Sequence, residues 1–274
     1  MHESHHNSPN PRGFPTNSAF SSTFTAVKTE IPQWHFLVNP AAGAGKGRAR
    51  WRKLLPQLRK ALPGMTVAVS TPETDLRAIT QDAVKSGKTH LVGVGGDGTH
   101  HHILNALVEA GRISSVVYAP LSLGSGNDWV RTLGTPTSLL PWIVHLRAVA
   151  TELHIIGQID FLETGKTHYF LNVAGLAYDA EVVRIAAEER ARSRWMYPLL
   201  AAAYLKEYQA PEVRIDYNDQ AFTGQVHTIN IGVGRYSGGG MSFVPHADPF
   251  GKQLALTYAK RMPSWKVLAN SWRI

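Results

Sequence analysis

Apolar and polar positions follow two different rhythms along the chain. In the first, short apolar runs alternate with segments that carry a single apolar face. Trp34–Val38 reads as a strand ending on Asn39-Pro40, and Arg48–Leu62 as a helix with Trp51, Leu54, Leu55, Leu58 and Leu62 on one side. Met65–Val69 is a second strand and Asp75–Ser86 a helix with Leu76, Ile79 and Val84 inward. His90–Val94 is a buried strand, His100–Ala110 a helix stopped by Gly111, and Ile113–Ala119 a further strand. This order predicts a parallel sheet with helices on both faces.

From Glu152 onward the period is mostly two. Glu152–Phe161, Thr167–Val173, Glu212–Tyr217, Gln225–Gly232 and Gln253–Tyr258 read as strands, and only Ala180–Ala191 and Trp195–Gln209 look helical. A boundary near residues 130–150 therefore separates an α/β domain (34–150) from a β-rich one (151–274). Residues 1–33 form a third block, rich in Ser, Thr, Asn, Pro and His. Its only charges are Glu3, Arg12, Lys28 and Glu30, so it is neutral and reads as a flexible, disordered tail.

Composition narrows the chemistry. The 274 residues include no cysteine, which excludes disulfides and thiolate metal sites. The formal net charge of +8 calls for an anionic partner: nucleotide, nucleic acid or lipid headgroup. No apolar run reaches the roughly 18–20 residues of a membrane span, and no basic-then-apolar leader opens the chain. The expectation is a soluble cytoplasmic protein that can touch the inner face of a membrane.

Ligands of a parallel sheet bind at the carboxyl ends of its strands. Three glycine-rich turns fall there: Asn39–Gly47, Gly95-Gly96-Asp97-Gly98-Thr99, and Leu123-Gly124-Ser125-Gly126-Asn127-Asp128. Glycines let backbone N–H groups approach phosphate oxygens, and a following helix N-terminus adds partial positive charge. Lys46, Arg48, Arg50, Arg52 and Lys53 follow the first turn, and no acid occurs between Ile31 and Pro72. The first turn is not a P-loop: Pro40 stands where that motif needs glycine, and Gly47 follows Lys46 in place of Ser or Thr. Gly93–Gly98 fits the dinucleotide fingerprint but lacks its ribose-binding acid about 20 residues on. Asp97 also puts a negative charge where a pyrophosphate would lie, which suits a residue facing a metal ion or a substrate hydroxyl. His100, His101 and His102 cannot share one ion, because helical neighbours point about 100° apart; they read as polar first-turn residues facing the cleft.

In this order, Val38–Gly47, Gly95–Thr99, Gly124–Asp128, Asn172–Val182 and Gly238-Gly239-Gly240-Met241 with Pro245 and Ala247-Asp248-Pro249 resemble the diacylglycerol kinase catalytic-domain family of bacterial lipid kinases and sphingosine kinases. The resemblance covers about residues 34–260. It implies an NAD kinase- and phosphofructokinase-like α/β domain plus a β-sandwich domain, and phosphoryl transfer from ATP with Mg²⁺ to a lipid hydroxyl. It implies that Asn39, Gly43, Gly45, Thr71, Gly95, Gly96, Asp97, Gly98, Thr99, Gly124, Ser125, Gly126 and Asn127 bind the nucleotide. Asp97 is then the catalytic carboxylate and Mg²⁺ contact, Asp128 and Asp179 lie on the lipid substrate, and Asp248 is a structural metal ligand. The partners implied are a lipid substrate at an anionic membrane surface, and no nucleic acid.

Three departures stand against that pattern. His101 and His102 occupy positions where the family carries Asn-Glu. Phe250-Gly251 replaces its Asp-Gly turn, and no acid follows Asp248. Either the chain is a truncated form or the proton acceptor lies elsewhere. An NAD kinase-like enzyme of soluble metabolites and an impaired nucleotide or lipid binder are the rival readings. Trp195–Leu205, beside Arg190, Arg192 and Arg194, rims an acyl pocket or packs on the sandwich. Lys252, Lys260, Arg261, Lys266 and Arg273 make the C-terminal part basic.

Overall fold

The computed structural model describes residues 32–124, 126–188 and 208–261. Nearly all of the N-terminal block, the helix expected from Trp195, Ser125, and the basic residues Lys266 and Arg273 lie outside the described residues.

Four parallel strands make the first sheet. β1 (His35–Val38) lies between β2 (Thr66–Val69) and β3 (His90–Gly95), and β4 (Val117–Ser122) flanks β3. Strand alternation sorts two cores. Phe36, Val38, Val92 and Val94 pack with Trp51 and Leu58 of α1 (Gly47–Ala61) and Trp142 and Leu146 of α5 (Leu139–Ala148). Leu37 and Leu91 point the other way, onto Ile79 of α2 (Leu76–Lys85) and Ile103 and Leu107 of α3 (Asp97–Glu109). Phe36, Leu37, Leu91 and Val92 are fully shielded, each burial stabilising by roughly 1.5–3 kcal/mol. The expected parallel sheet with helices on both faces is therefore the observed one.

The connections fix where a ligand can enter. From β1 the chain passes through α1 to β2 on one side, then returns through α2 across β1 to β3. Helices α1 and α3 thus leave adjacent strands onto opposite faces. Their parting opens a crevice at the carboxyl ends of β1 and β3, a topological switch point.

Element limits depart from the sequence pattern where local chemistry intervenes. Helix α3 starts at Asp97, inside the glycine turn, because extended Gly96 serves as its N-cap while Thr99 Oγ1 accepts the Gly96 N–H. Ile113–Ser115 is a 3₁₀ turn, and β4 runs on to Ser122. Residues 128–148 hold two helices that the pattern reading left unassigned: α4 (Asp128–Leu133), ended by Gly134 at φ +64°, and α5. Their signal was present, since Leu139, Trp142, Ile143 and Leu146 keep helical spacing.

The second part is antiparallel. β5 (Gly157–Phe161) and β6 (Lys166–Phe170) form a hairpin. β7 (Val173–Ala177) leads into α6 (Tyr178–Glu188). The long β9 (Gln220–Gly232) pairs first with β8 (Glu212–Tyr217), then lies between β7 and β10 (Ala255–Lys260). The expected strand Thr167–Val173 is split, because the chain turns at Leu171-Asn172 to begin β7. Asn105 of α3 joins the two parts: its Nδ2 donates to Tyr169 O (3.1 Å) and its Oδ1 accepts from Tyr169 N (3.2 Å), imitating a strand partner. Among the described residues no helix is long and apolar enough to cross a membrane.

His100 is the buried oddity of the first core. It is 1% exposed; its Nδ1 shares a hydrogen bond of 2.7 Å with the Tyr118 hydroxyl, and its ring lies 5.2 Å from that of Trp129. Gly93 makes this possible, since a Cβ there would lie 1.7 Å from the Tyr118 oxygen. Burial lowers the imidazole to about 4. The unfolded chain takes up this proton as pH falls through about 6.5, whereas the folded chain resists until about 4. Stability should therefore drop over that window, by about 3 kcal/mol at its acid end. Urea titrations of wild type and His100→Gln from pH 7 to 4 check this. The variant's slope should be shallower but not flat, because burial also depresses His35 and His154.

Candidate active site

A cleft of about 360 Å³ occupies the crevice. Asn39, Ala42 and Gly43 line it from the β1 turn; Gly96, Asp97, Gly98, Thr99 and His102 from β3 and α3; Gly124 and Gly126 from the β4 turn. All three glycine turns converge there. Asn39 Nδ2 donates to Thr99 Oγ1 (2.9 Å), tying the first turn to the second. Arg50 donates to Leu123 O (2.7 Å), tying the first helix to the third turn. The second and third turns touch backbone to backbone: a Cβ on Gly124 would lie 2.6 Å from Gly96 Cα. Gly43 is equally constrained, with φ +64° and Leu123 O 2.4 Å from any Cβ.

The backbone donors differ between the turns. In the first, the N–H groups of Ala42, Gly45, Lys46 and Gly47 are bonded within the turn, and those of Gly43 and Ala44, which precede the helix, have no partner among the described residues. In the second, hydrogen bonding of α3 begins with Thr99 N and His100 N, both to Gly96 O, and the Asp97 and Gly98 N–H groups have no partner among the described residues. A Cβ on Gly98 would meet nothing within 4 Å. Open donors at the positive end of a 13-residue helix make the second turn the stronger anion cradle.

Asp97 faces α4. Its Oδ2 accepts from Asp128 N (3.2 Å) and its Oδ1 from Trp129 N (3.1 Å), so it caps that helix. Asp128, 5% exposed, accepts through Oδ2 from Gly239 N (2.8 Å) and through Oδ1 from Arg131 (3.3 Å). Burial raises the Asp128 carboxyl; the Gly239 N–H opposes that shift, Asp97 adds to it, and Arg131 opposes it. Thr132 Oγ1 accepts from Arg235 N (3.1 Å), and Arg131 lies over the Tyr236 ring at 5.6 Å. Helix α4 is thus a strut from the glycine turns to the 235–240 segment of the second part.

The fold and the order of its two parts occur in known proteins. Residues 33–159 match the diacylglycerol kinase catalytic domain, and residues 172–270 the YegS C-terminal NAD kinase β-sandwich-like domain. Residues 33–159 belong to the diacylglycerol kinase catalytic-domain family. It is 28% identical over 207 residues to a probable lipid kinase YegS-like of Pseudomonas aeruginosa, a match covering 75% of this chain and 66% of that one. A putative lipid kinase YtlR of Bacillus subtilis is 24% identical, with 86% and 80% covered. A diacylglycerol kinase of Staphylococcus saprophyticus is also 24% identical, with 77% and 67% covered. A crystal structure of a putative diacylglycerol kinase from Bacillus anthracis shares the fold, at TM-score 0.68 and 21% identity over 90% of this chain and 81% of that one.

Other positions implied by the kinase-family motifs fall outside the cleft lining. Gly45, at φ +82°, is exposed, and Gly95 lies beneath the turn, where a Cβ would strike the Thr99 side chain. Asn127 adopts φ +57° and donates to Gly124 O (3.1 Å), closing the third turn from behind. The Thr71 hydroxyl accepts from Thr74 N (3.0 Å) in an exposed turn beyond β2. Asp179 begins α6 and accepts from Thr228, which in turn accepts from Asn230 (3.1 Å); burial raises its carboxyl, and the Thr228 and Asn230 contacts oppose the shift. Asp248 Oδ1 accepts from Phe250 N (3.1 Å) in a local turn. Among the described residues no group of three or more His, Asp or Glu is placed to hold a metal.

The three histidines diverge as helix geometry demands. His100 is core rather than cleft-facing, which corrects the expectation for it. His101 is exposed, and His102 lines the cleft. Pattern reading did not single out Trp129, Arg131, Thr132 or Arg235, although Asp128 and Arg131 sit at an i, i+3 spacing that could have signalled the strut.

Capping and catalysis make separable demands on Asp97. Asparagine keeps one of the two acceptor oxygens and puts an NH2 in place of the other, whereas alanine keeps neither. Asp97→Ala should cost about 1–2 kcal/mol in urea unfolding, and Asp97→Asn about half of that. Gly124→Ala, which sets a methyl against backbone, should cost about 1–3 kcal/mol.

Proposed function

We propose that this chain is an ATP-dependent lipid kinase. The observation that carries the reading is the convergence of three glycine turns and the open α3 N–H groups on one cleft, beside the carboxylate of Asp97, in a chain of this family. The fit to a polyphosphate is good. Glycines at 43, 96, 98, 124 and 126 leave the cleft wall without side chains, and the Asp97 and Gly98 N–H groups are free donors. A resident metal cage does not fit, but Asp97 can share a Mg²⁺ ion with the nucleotide. When bound, that ion neutralises charge on the phosphates.

In the transfer, the acceptor oxygen bonds to the γ-phosphorus, the bond to the bridging β–γ oxygen breaks, and ADP leaves. The acceptor's proton needs a base, and Asp97 is the carboxylate lining the cleft. Since α4 N–H groups hold both of its oxygens in place, Asp97 is pre-oriented rather than mobile. The chain's +8 charge favours an anionic lipid surface over a dissolved substrate. A non-catalytic nucleotide binder is the second reading. The capping bonds of Asp97 favour it, because they give the carboxylate a structural role that needs no reaction.

Transfer of label from γ-labelled ATP to diacylglycerol, monoacylglycerol, a sphingoid base or NAD separates these readings. Label should enter an organic-extractable product, rise with anionic vesicles and fall with salt. Asp97→Asn should slow turnover by roughly 10²–10⁴-fold while stability falls by no more than about 1 kcal/mol. Label on NAD alone overturns the lipid acceptor. Undiminished turnover in Asp97→Asn overturns the assigned chemistry.

A further inference from the structure

His102 has no part in the glycine cradle, yet it lines the cleft. It stands four residues after Gly98, one turn along the same face of α3. Helical Cα–Cβ bonds tilt toward the N-terminus, so this imidazole leans toward Gly98 without filling the space above it, since a Cβ there would meet nothing within 4 Å. That open space adjoins the unpartnered N–H groups of Asp97 and Gly98.

Charge makes the placement informative. Among the described residues lining the cleft, His102 is the one side chain that can become cationic, and Asp97 the one that is anionic. The basic run after the first turn does not supply a substitute. Lys46, Arg48 and Arg52 are not among those lining residues, and Arg50 is tied to Leu123 O. A highly charged polyphosphate in this cleft would otherwise be met by neutral donors alone, backbone N–H groups and the Asn39 and Thr99 side chains, and by the repelling carboxylate of Asp97.

Building on the nucleotide reading, we propose that His102 donates a hydrogen bond to the phosphate chain of the bound nucleotide and offsets the charge of Asp97 there. It is then a binding and positioning residue for the phosphates. The His101 ring, 5.7 Å away on the same helix, is not among the residues lining the cleft.

The test uses the full chain and three probes: ATP, inorganic triphosphate and adenosine. Each is titrated against wild type, His102→Gln, His102→Ala and His102→Lys, with Mg²⁺ and with a chelator. His102 is exposed, so the variants should melt as wild type does, and His102→Lys guards against loss through misfolding. The expected result is about a tenfold loss of affinity for ATP and for triphosphate in His102→Ala, a smaller loss in His102→Gln, and recovery in His102→Lys. Adenosine binding should not change. Equal ATP affinity in wild type and His102→Ala overturns the inference while leaving the nucleotide site intact. A loss shared by adenosine overturns it in favour of base stacking, and a loss seen only with Mg²⁺ overturns it in favour of a metal contact. Absence of ATP binding by wild type removes the kinase reading itself and this contact with it.

Discussion

The two hydrogen bonds from the α4 N-terminus to Asp97 hold the site together. They join the second glycine turn to the third, because Asp97 belongs to one and Asp128 and Trp129 follow the other. They also start a relay into the second part, through the Asp128 carboxylate to Gly239 and through Thr132 to Arg235. A helix of only six residues has little stability of its own. Its position is therefore set by what binds its ends: a carboxylate at the start, and Gly134 at the finish. The carboxylate that chemistry would use is thus also the one that the architecture needs.

That double duty explains a crowding that would otherwise be costly. Asp97 and Asp128 repel each other in a poorly solvated corner, and each raises the free energy of the other's charge. The compensation comes from fixed donors. Asp97 receives two backbone N–H groups, while Asp128 receives Gly239 N–H and Arg131. Backbone dipoles already oriented by a helix and a glycine turn cost little to order, which is the condition for stabilising charge without mobile cations.

The sheet, its order of elements and the location of the cleft were legible because each rests on a local pattern. Alternation in Phe36, Leu37 and Val38 fixes two buried faces, and glycine turns after successive strands mark their carboxyl ends. The glycine turns of the candidate site were legible as well, although Thr71, Asp179 and Asp248 came only through the family motifs and lie outside the cleft lining. What could not be read was pairing across distance. The bonds Asp97–Trp129, Asp128–Gly239 and Asn105–Tyr169 span 32, 111 and 64 residues. No periodicity encodes them. His100 was misread for a related reason: its burial depends on Gly93 and Tyr118, which approach it only when β3 and β4 pair.

The first glycine turn shows where composition misleads. It holds three glycines followed by a run of cations, the strongest phosphate signal in the chain by residue type. In the fold, its N–H groups mostly bond within the turn, and Gly43 is glycine because Leu123 O presses on it. The second turn has an acid at its centre and looks the poorer candidate, yet its two open donors, Asp97 and Gly98, are the first N–H groups of the helix itself, whereas the open Gly43 and Ala44 N–H groups of the first turn precede α1. Backbone direction, set by the strand and helix on either side, decides which glycine turn can hold an anion. Side-chain charge decides only what surrounds it.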